Sequence, residues 1–174
     1  TSEHFGDLPT RSGSFRAVVR AGDSVTAYTR AGAGRPVVLL RAPRSDHPGW
    51  CSVSEAIAAA GFRAITPEEV PEPEFFSTWL RQFLDGLGLP RISLVTDEAL
   101  GVPAIGFALL EPDRVDRLVL LSAAISDTTE VDGALGDGPA SVSHPLLLVR
   151  SDRPLEEMVA RVVRFLAGEP LVLD

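Results

Sequence analysis

The pattern of apolar and polar positions divides the chain into short segments with β-strand and helix spacing. Residues 14–20 and 23–30 favour β-structure and meet around Ala21-Gly22, which predicts a hairpin. Residues 36–42 begin with an almost unbroken apolar run, as expected of a strand that is buried on both faces. The apolar residues of 74–87 recur at three- and four-residue steps, which places them on one face of a helix.

The rest of the chain continues as an alternation of strands and helices. Residues 124–143 interrupt it, because they are small and acidic and have no periodicity. Strands that alternate with helices predict an α/β fold, a doubly wound and mostly parallel sheet with helices on both faces. The other predicted strands are 62–66, 92–95, 118–122 and 145–150, and the other predicted helices are 52–60, 98–110 and 154–167.

The composition of the chain excludes several classes of partner but says little about its chemistry. Its 174 residues suit one domain, expected at 14–174 after a flexible segment at 1–13. The net charge of −8 disfavours nucleic acid and anionic membranes as partners, and no apolar run is long enough to span a bilayer. The single Cys51 excludes an internal disulfide and favours a cytoplasmic location. No residues have metal-ligand spacing, so neither a metal nor a cofactor is expected, and a small molecule is the expected partner.

Several blocks of sequence occur in an order that is typical of one family. Residues 31–40 read AGAGRPVVLL, residues 60–68 read AGFRAITPE, and residues 111–124 read EPDRVDRLVLLSAA. These blocks resemble the lead to the oxyanion strand, the "GYRVIAPD" turn and the "HPERVxxLVLLSAA" strand of α/β-hydrolases. The resemblance extends from about Val25 to Gly168 and implies the same fold.

The catalytic positions of that family carry other residues here. The nucleophile turn G-x-S-x-G corresponds to residues 96–100, which read TDEAL and put Glu98 at the serine position. Arg41 stands where the oxyanion loop normally has histidine, and Arg153 stands at the position of the acid. No histidine follows His144 in the sequence, and 124–143 is too short for the helical cap. The resemblance therefore implies a reduced, capless member without the Ser-His-Asp triad.

Glu98, Asp97 and Arg41 are the candidate catalytic residues. At the apex of the turn, a partly desolvated Glu98 could act as a general acid or base, and Arg41 could polarise a carbonyl group as a charged donor. A simpler interpretation stays open, because acidic residues in the first turn of a helix are stabilised by about 0.3–1 kcal/mol without any function. Arg41 could equally belong to a solvated loop.

A second set of residues is expected to contact the substrate from the loops at the same edge of the sheet. Solvated loops, an ion pair with Glu98, or core packing of the tryptophan are the alternatives for these residues. Cys51 is expected to be a small buried residue. The candidate substrate-binding residues are Arg44, His47, Trp50, Ser122, Arg150, Asp152 and Arg153.

Two functions fit these features. The first is a non-hydrolytic enzyme of the cyclase or lyase type, which acts on a small apolar or polyketide-like metabolite by acid–base or pocket-templated cyclisation or elimination. The alternative is a catalytically inactive pseudo-hydrolase that binds a ligand or a protein partner. Because no cap is predicted, we expect a homodimer or the segment 124–143 to cover the apolar mouth of the site.

Overall fold

The described part of the chain forms one nine-stranded sheet with helices on both faces. The computed structural model describes residues 8–9, 13–43, 50–122, 129–131, 145–150 and 154–169. The strands, numbered β1 to β9, are Leu8–Pro9, Ser14–Ala21, Ser24–Ala31, Pro36–Leu40, Arg63–Pro67, Ile92–Asp97, Val115–Ser122, Thr129–Val131 and Leu146–Arg150. The helices, numbered α1 to α4, are Trp50–Ala59, Pro73–Gly86, Gly101–Leu110 and Leu155–Ala167, and a 3-10 turn covers Glu98–Leu100.

The sheet is parallel in its centre and antiparallel at its two ends. Its strand order is β1-β2-β3-β5-β4-β6-β7-β9-β8. The five neighbouring strands β5, β4, β6, β7 and β9 run parallel to one another. The hairpin β2–β3 extends one end, and β8 pairs antiparallel with β9 at the other. The predicted doubly wound, mostly parallel sheet is confirmed. The β4 and β6 residues are almost all buried, as their apolar sequences require.

The helices cover the sheet on opposite faces and create two cores. One core contains the buried face of α2 together with Ala104 and Phe107 of α3. The other contains Val53 and Ile57 of α1 and Met158 of α4. Since successive side chains of a strand point to opposite faces, Val38 and Leu40 of β4 enter the first core while Val37 and Leu39 enter the second. None of the described helices is long and apolar enough to cross a membrane.

Local sequence signals explain where the helices begin and end. Pro73 opens α2 at a position where its missing N–H costs no hydrogen bond. Gly61 follows α1 with φ +91°, and its N–H donates to the Ala58 carbonyl, as predicted for a C-cap glycine. Gly168 ends α4 in the same left-handed conformation.

Three parts of the observed chain differ from the sequence prediction. The strand predicted at 118–122 begins already at Val115, and the predicted helix 98–110 starts as a 3-10 turn. The apolar pattern gave no indication of β1 or of β8, and β8 lies within the segment 124–143 that has no periodicity. Two- and three-residue strands are too short for an alternating pattern to be recognised.

Candidate functional site

The ends of four neighbouring strands bring the candidate residues to one edge of the sheet. Leu40 of β4 is in register with Thr96 of β6, and Asp97 is in register with Leu121 of β7. Ser122 is in register with Arg150 of β9. Arg41, Glu98, Ser122 and Arg150 therefore occupy the carboxyl edge of the parallel strands, which is where open α/β sheets bind ligands.

Asp97 ends β6 inside the protein and joins two loops. Only 4% of the residue is exposed. Its Oδ2 accepts a hydrogen bond from the Ala42 backbone N–H at 2.8 Å, and its Oδ1 accepts one from the Leu100 N–H at 3.3 Å. The first bond ties the segment after β4 to the end of β6, and the second caps the 3-10 turn. Both carboxylate oxygens thus hold backbone, which is a positioning role.

The turn after β6 has a relaxed backbone. A nucleophile turn of the hydrolase kind is sharp and strained, and it needs small residues on both sides of its apex. Here the flanking positions hold Thr96 and Leu100, both buried, and none of the described non-glycine residues has a positive φ. Asp97 is extended, with φ −79° and ψ 170°. The expectation of a tight nucleophile turn with Glu98 at its apex is therefore wrong in its geometry, because bulky neighbours and the Asp97 cap favour a 3-10 turn.

Glu98 and Arg41 both lie at the surface of this edge. Glu98 is exposed in the first position of the 3-10 turn, and Arg41 is exposed directly after β4. Because Glu98 is exposed, it lacks the water-excluded surroundings that strengthen electrostatic catalysis. Both side chains are accessible from solvent, and their roles in binding or catalysis stay predictions.

Backbone donors for a developing oxyanion are scarce where the loop after β4 begins. In serine hydrolases of this general design, one oxyanion donor comes from that loop. The Ala42 N–H donates to Asp97, and Pro43 has no N–H. Neither residue can therefore stabilise an oxyanion while this arrangement persists.

The structure locates only some of the residues that were predicted to contact the substrate. Ser122 and Arg150 are located by their backbone pairing at the end of β7 and β9. Trp50 is buried, with 5% of its surface exposed, and belongs to the core between α1 and the sheet. Arg44, His47, Asp152 and Arg153 lie outside the described residues, as do most of 1–13 and of 124–143.

A cleft that the sequence did not indicate runs along α1. It has a volume of 610 Å³ and separates α1 from the end of β3. Trp50, Ser54 and Glu55 line one side, and Thr29 and Thr66 line the sheet side. The Thr66 hydroxyl is buried and has no hydrogen-bond partner among the described residues. These residues come from distant parts of the sequence and form no motif, so no local signal could have identified them.

Cys51 and the possible metal ligands give two further results. Cys51 is exposed on the cleft, so the expectation of a small buried cysteine is wrong. It faces outward because Trp50 and Val53 take the inward positions at the start of α1. Across the residues that the structure describes, no three His, Cys, Asp or Glu side chains form a cluster that could hold a metal ion.

Curated relatives of the chain are bacterial enzymes of one kind. No protein-family model matches the chain. It is 34% identical over 89 residues to a 2-hydroxy-6-oxononadienedioate/2-hydroxy-6-oxononatrienedioate hydrolase of Dechloromonas aromatica. The aligned residues make up 51% of this chain and 26% of that relative. It is 29% identical over 133 residues to the corresponding hydrolase 2 of Pseudomonas putida, and this alignment covers 66% of this chain and 46% of that relative. The chain thus spans between a quarter and a half of the length of these relatives.

Solved structures with the same fold include epoxide hydrolases. The enzyme from Vigna radiata superposes with a TM-score of 0.58 at 18% identity, over 70% of this chain and 42% of that one. An epoxide hydrolase from an endophytic Streptomyces superposes with a TM-score of 0.56 at 20% identity, over 67% and 39%. At such identities the likeness concerns the fold alone.

Proposed function

Since the chain belongs to the α/β-hydrolase superfamily, we propose that it is a ligand-binding member that does not hydrolyse its ligand through a covalent intermediate. The proposed site is the carboxyl edge of β4 and β6, with Arg41 and Glu98 as the groups that contact the ligand. This is the pseudo-hydrolase interpretation, which the geometry supports better than the enzymatic one.

The hydrogen bond from Ala42 N–H to Asp97 carries this proposal. Hydrolysis by the usual covalent route needs a nucleophile at a strained apex and free backbone donors for the oxyanion. In this chain the Asp97 carboxylate occupies the donor at the start of the loop, and Glu98 follows in a relaxed turn that faces water. The same hydrogen bonds hold the end of β6 against the segment after β4, which suits a preformed binding surface.

The proposed ligand is a small oxo-acid. The names of the relatives specify dicarboxylates that carry a hydroxyl and an oxo group. Arginine is suited to such compounds, because its planar guanidinium can donate two parallel hydrogen bonds to one carboxylate. Arg41 is exposed at the site, so a carboxylate in solution can reach its guanidinium group.

A second candidate is acid–base chemistry on the bound ligand, as in the cyclase or lyase interpretation. It is favoured by the placement of Arg41 and Glu98 at the ends of the adjacent strands β4 and β6. In this mechanism the Glu98 carboxylate removes a proton next to a carbonyl group, and Arg41 stabilises the resulting enolate oxygen. A small apolar or polyketide-like metabolite with an acidic C–H bond is the matching substrate.

Calorimetry with 2-hydroxy-6-oxononadienedioate tests the binding proposal. We expect Arg41→Ala to weaken binding by about tenfold or more, because a hydrogen bond to a charged group contributes about 1.5–3 kcal/mol. Arg164→Ala is the matched control, since Arg164 is exposed in the last turn of α4 on another element. Equal binding by both variants would remove Arg41 from the site, and no binding by the wild type would exclude this ligand class.

Glu98→Gln separates the two candidate functions. If the protein only binds the ligand, this variant keeps the ligand intact, as the wild type does. If acid–base chemistry occurs, the wild type converts the ligand and Glu98→Gln lowers the rate by at least about a hundredfold. Glu74→Gln is the control, because Glu74 is also exposed in the first turn of a helix.

A further inference from the structure

A bidentate ion pair joins the hairpin β2–β3 to the carboxyl edge of the sheet beside the proposed site. Arg16 of β2 donates from Nε to Oε1 of Glu68, and its Nη2 lies 2.9 Å from Oε2. Glu68 directly follows β5, and Arg16 lies two strands away, on the other side of β3. Both side chains are exposed, so the pair contributes little to stability. Its main consequence is the direction in which it holds the Glu68 carboxylate.

The backbone of Glu68 lies beside the strand that Arg41 follows. β4 and β5 run parallel with Val38 in register with Ile65, and Arg41 and Glu68 each come three residues later. The Glu68 N–H donates to the Ala27 carbonyl at 2.9 Å, which keeps this backbone at the edge of the sheet. Neighbouring strands are about 4.8 Å apart, so long side chains that follow adjacent strands can meet. The Glu68 carboxylate thus has two arginines within its reach, one on each side of its strand.

Arg41 has no carboxylate partner although acidic residues surround it. In the described part of the chain, it has neither an ion pair nor a hydrogen bond. Asp97 accepts its hydrogen bonds from backbone N–H groups, and Glu68 accepts its bonds from Arg16. Glu98, which follows β6, is already a ligand contact in the proposed function. An unpaired guanidinium suits a ligand carboxylate, because a carboxylate of the protein would compete for the same donors.

We propose that Arg16 is a positioning residue of the site: by engaging Glu68, it keeps Arg41 available to the carboxylate of the ligand. The inference rests on the proposed function for the ligand and on the strand register for the competing carboxylate. Without Arg16, Glu68 pairs with Arg41, and a ligand has to displace it. An exposed pair of this kind reduces the affinity for the ligand by about two- to fivefold.

Calorimetry with 2-hydroxy-6-oxononadienedioate tests this competition. Arg16→Ala should weaken binding about two- to fivefold. Adding Glu68→Gln should restore the affinity of the wild type, because the double variant has the same net charge and lacks the competing carboxylate. Arg20→Ala is the control and should leave the affinity unchanged, since Arg20 is exposed on the same strand and has no ion pair among the described residues.

Salt separates this electrostatic effect from a structural defect. In about 1 M salt, Arg16→Ala and the wild type should bind equally, because the charges involved are exposed and screened. A loss that persists in salt, that Glu68→Gln does not restore, or that Arg20→Ala reproduces would overturn the inference. Unchanged binding by Arg16→Ala would overturn it as well, and it would leave the role of Arg41 in the proposed function intact.

Carbon-13 NMR titration of the Glu68 carboxyl group tests the competition without a ligand. In the wild type, the hydrogen bond from Arg16 lowers the pKa of Glu68. In Arg16→Ala this pKa should stay below the ordinary value of about 4.3, because Arg41 takes the place of Arg16. It should reach the ordinary value only when Arg41→Ala is added. An ordinary pKa in Arg16→Ala alone would overturn the inference, whereas a wild type that binds no dienedioate would contradict the proposed function and leave this titration result standing.

Discussion

Replacing Asp97 by alanine should destabilise the protein by about 1.5–3.5 kcal/mol. The substitution leaves the buried Ala42 N–H without its acceptor at 2.8 Å, and an unsatisfied buried donor costs about 1–3 kcal/mol. It also removes the cap of the 3-10 turn, which costs about 0.5–2 kcal/mol, and the 3.3 Å distance to Leu100 N places this loss at the low end. The tie between the two loops is therefore the larger of the two contributions.

Two further substitutions separate these contributions. Asp97→Ser keeps a short oxygen that can cap the turn, and it cannot also reach Ala42, so it should recover only the smaller part of the loss. Glu98→Gln changes the neighbouring exposed residue and should shift stability by less than about 0.5 kcal/mol. The measurement is urea unfolding followed by the fluorescence of the buried Trp50 and Trp79. An Asp97→Ala variant as stable as the wild type would refute the proposed role of this carboxylate.

Three other predictions follow from particular contacts. Gly34→Ala should lower the free energy of unfolding by at least about 1 kcal/mol more than Gly61→Ala. Both glycines have a positive φ, but only at Gly34 would a new Cβ lie 2.2 Å from a carbonyl oxygen, which is that of Gly61. Thermal unfolding measures the difference, and equal losses of stability in the two variants would contradict it. The hydrogen bond from Arg16 lowers the pKa of Glu68, so Glu68→Gln should reduce stability at neutral pH. This loss should vanish as the pH falls below the pKa of glutamate in the unfolded chain, about 4.3, and through the lowered pKa of Glu68 in the folded protein. Urea unfolding at each pH measures it, and a loss that persists in acid would exclude the ion pair as its cause. Cys51 is exposed and should react with Ellman's reagent in the folded protein as fast as after unfolding, and protection by folding would contradict the structure.

The central part of the fold could be predicted because its signals are local. The apolar run of β4 and the one-sided pattern of α2 each specify an element without reference to the rest of the chain. The order of the sequence blocks placed Arg41 and Glu98 at the ends of their strands, and the strand register agrees with that placement.

The geometry of the site could not be predicted because it depends on distant contacts. The bond that ties the segment after β4 to the end of β6 joins Asp97 to a residue 55 positions earlier. In the sequence, Asp97 looked like a first-turn residue with a possible catalytic role, and only its burial shows that both oxygens hold backbone. The cleft beside α1 combines residues of β3, α1 and β5, so it too has no linear signal.

Incubation with 2-hydroxy-6-oxononadienedioate, followed by mass spectrometry of both the protein and the dienedioate, tests the central claim most directly. The account predicts that the dienedioate is recovered unbroken and that the mass of the protein is unchanged at every time point. The Ala42 N–H is bound to Asp97 and the turn at Glu98 is relaxed, so no covalent adduct with the protein should form. A protein mass increased by an acyl group that maps to Glu98, or hydrolysis products above those of a heat-denatured sample, would contradict it.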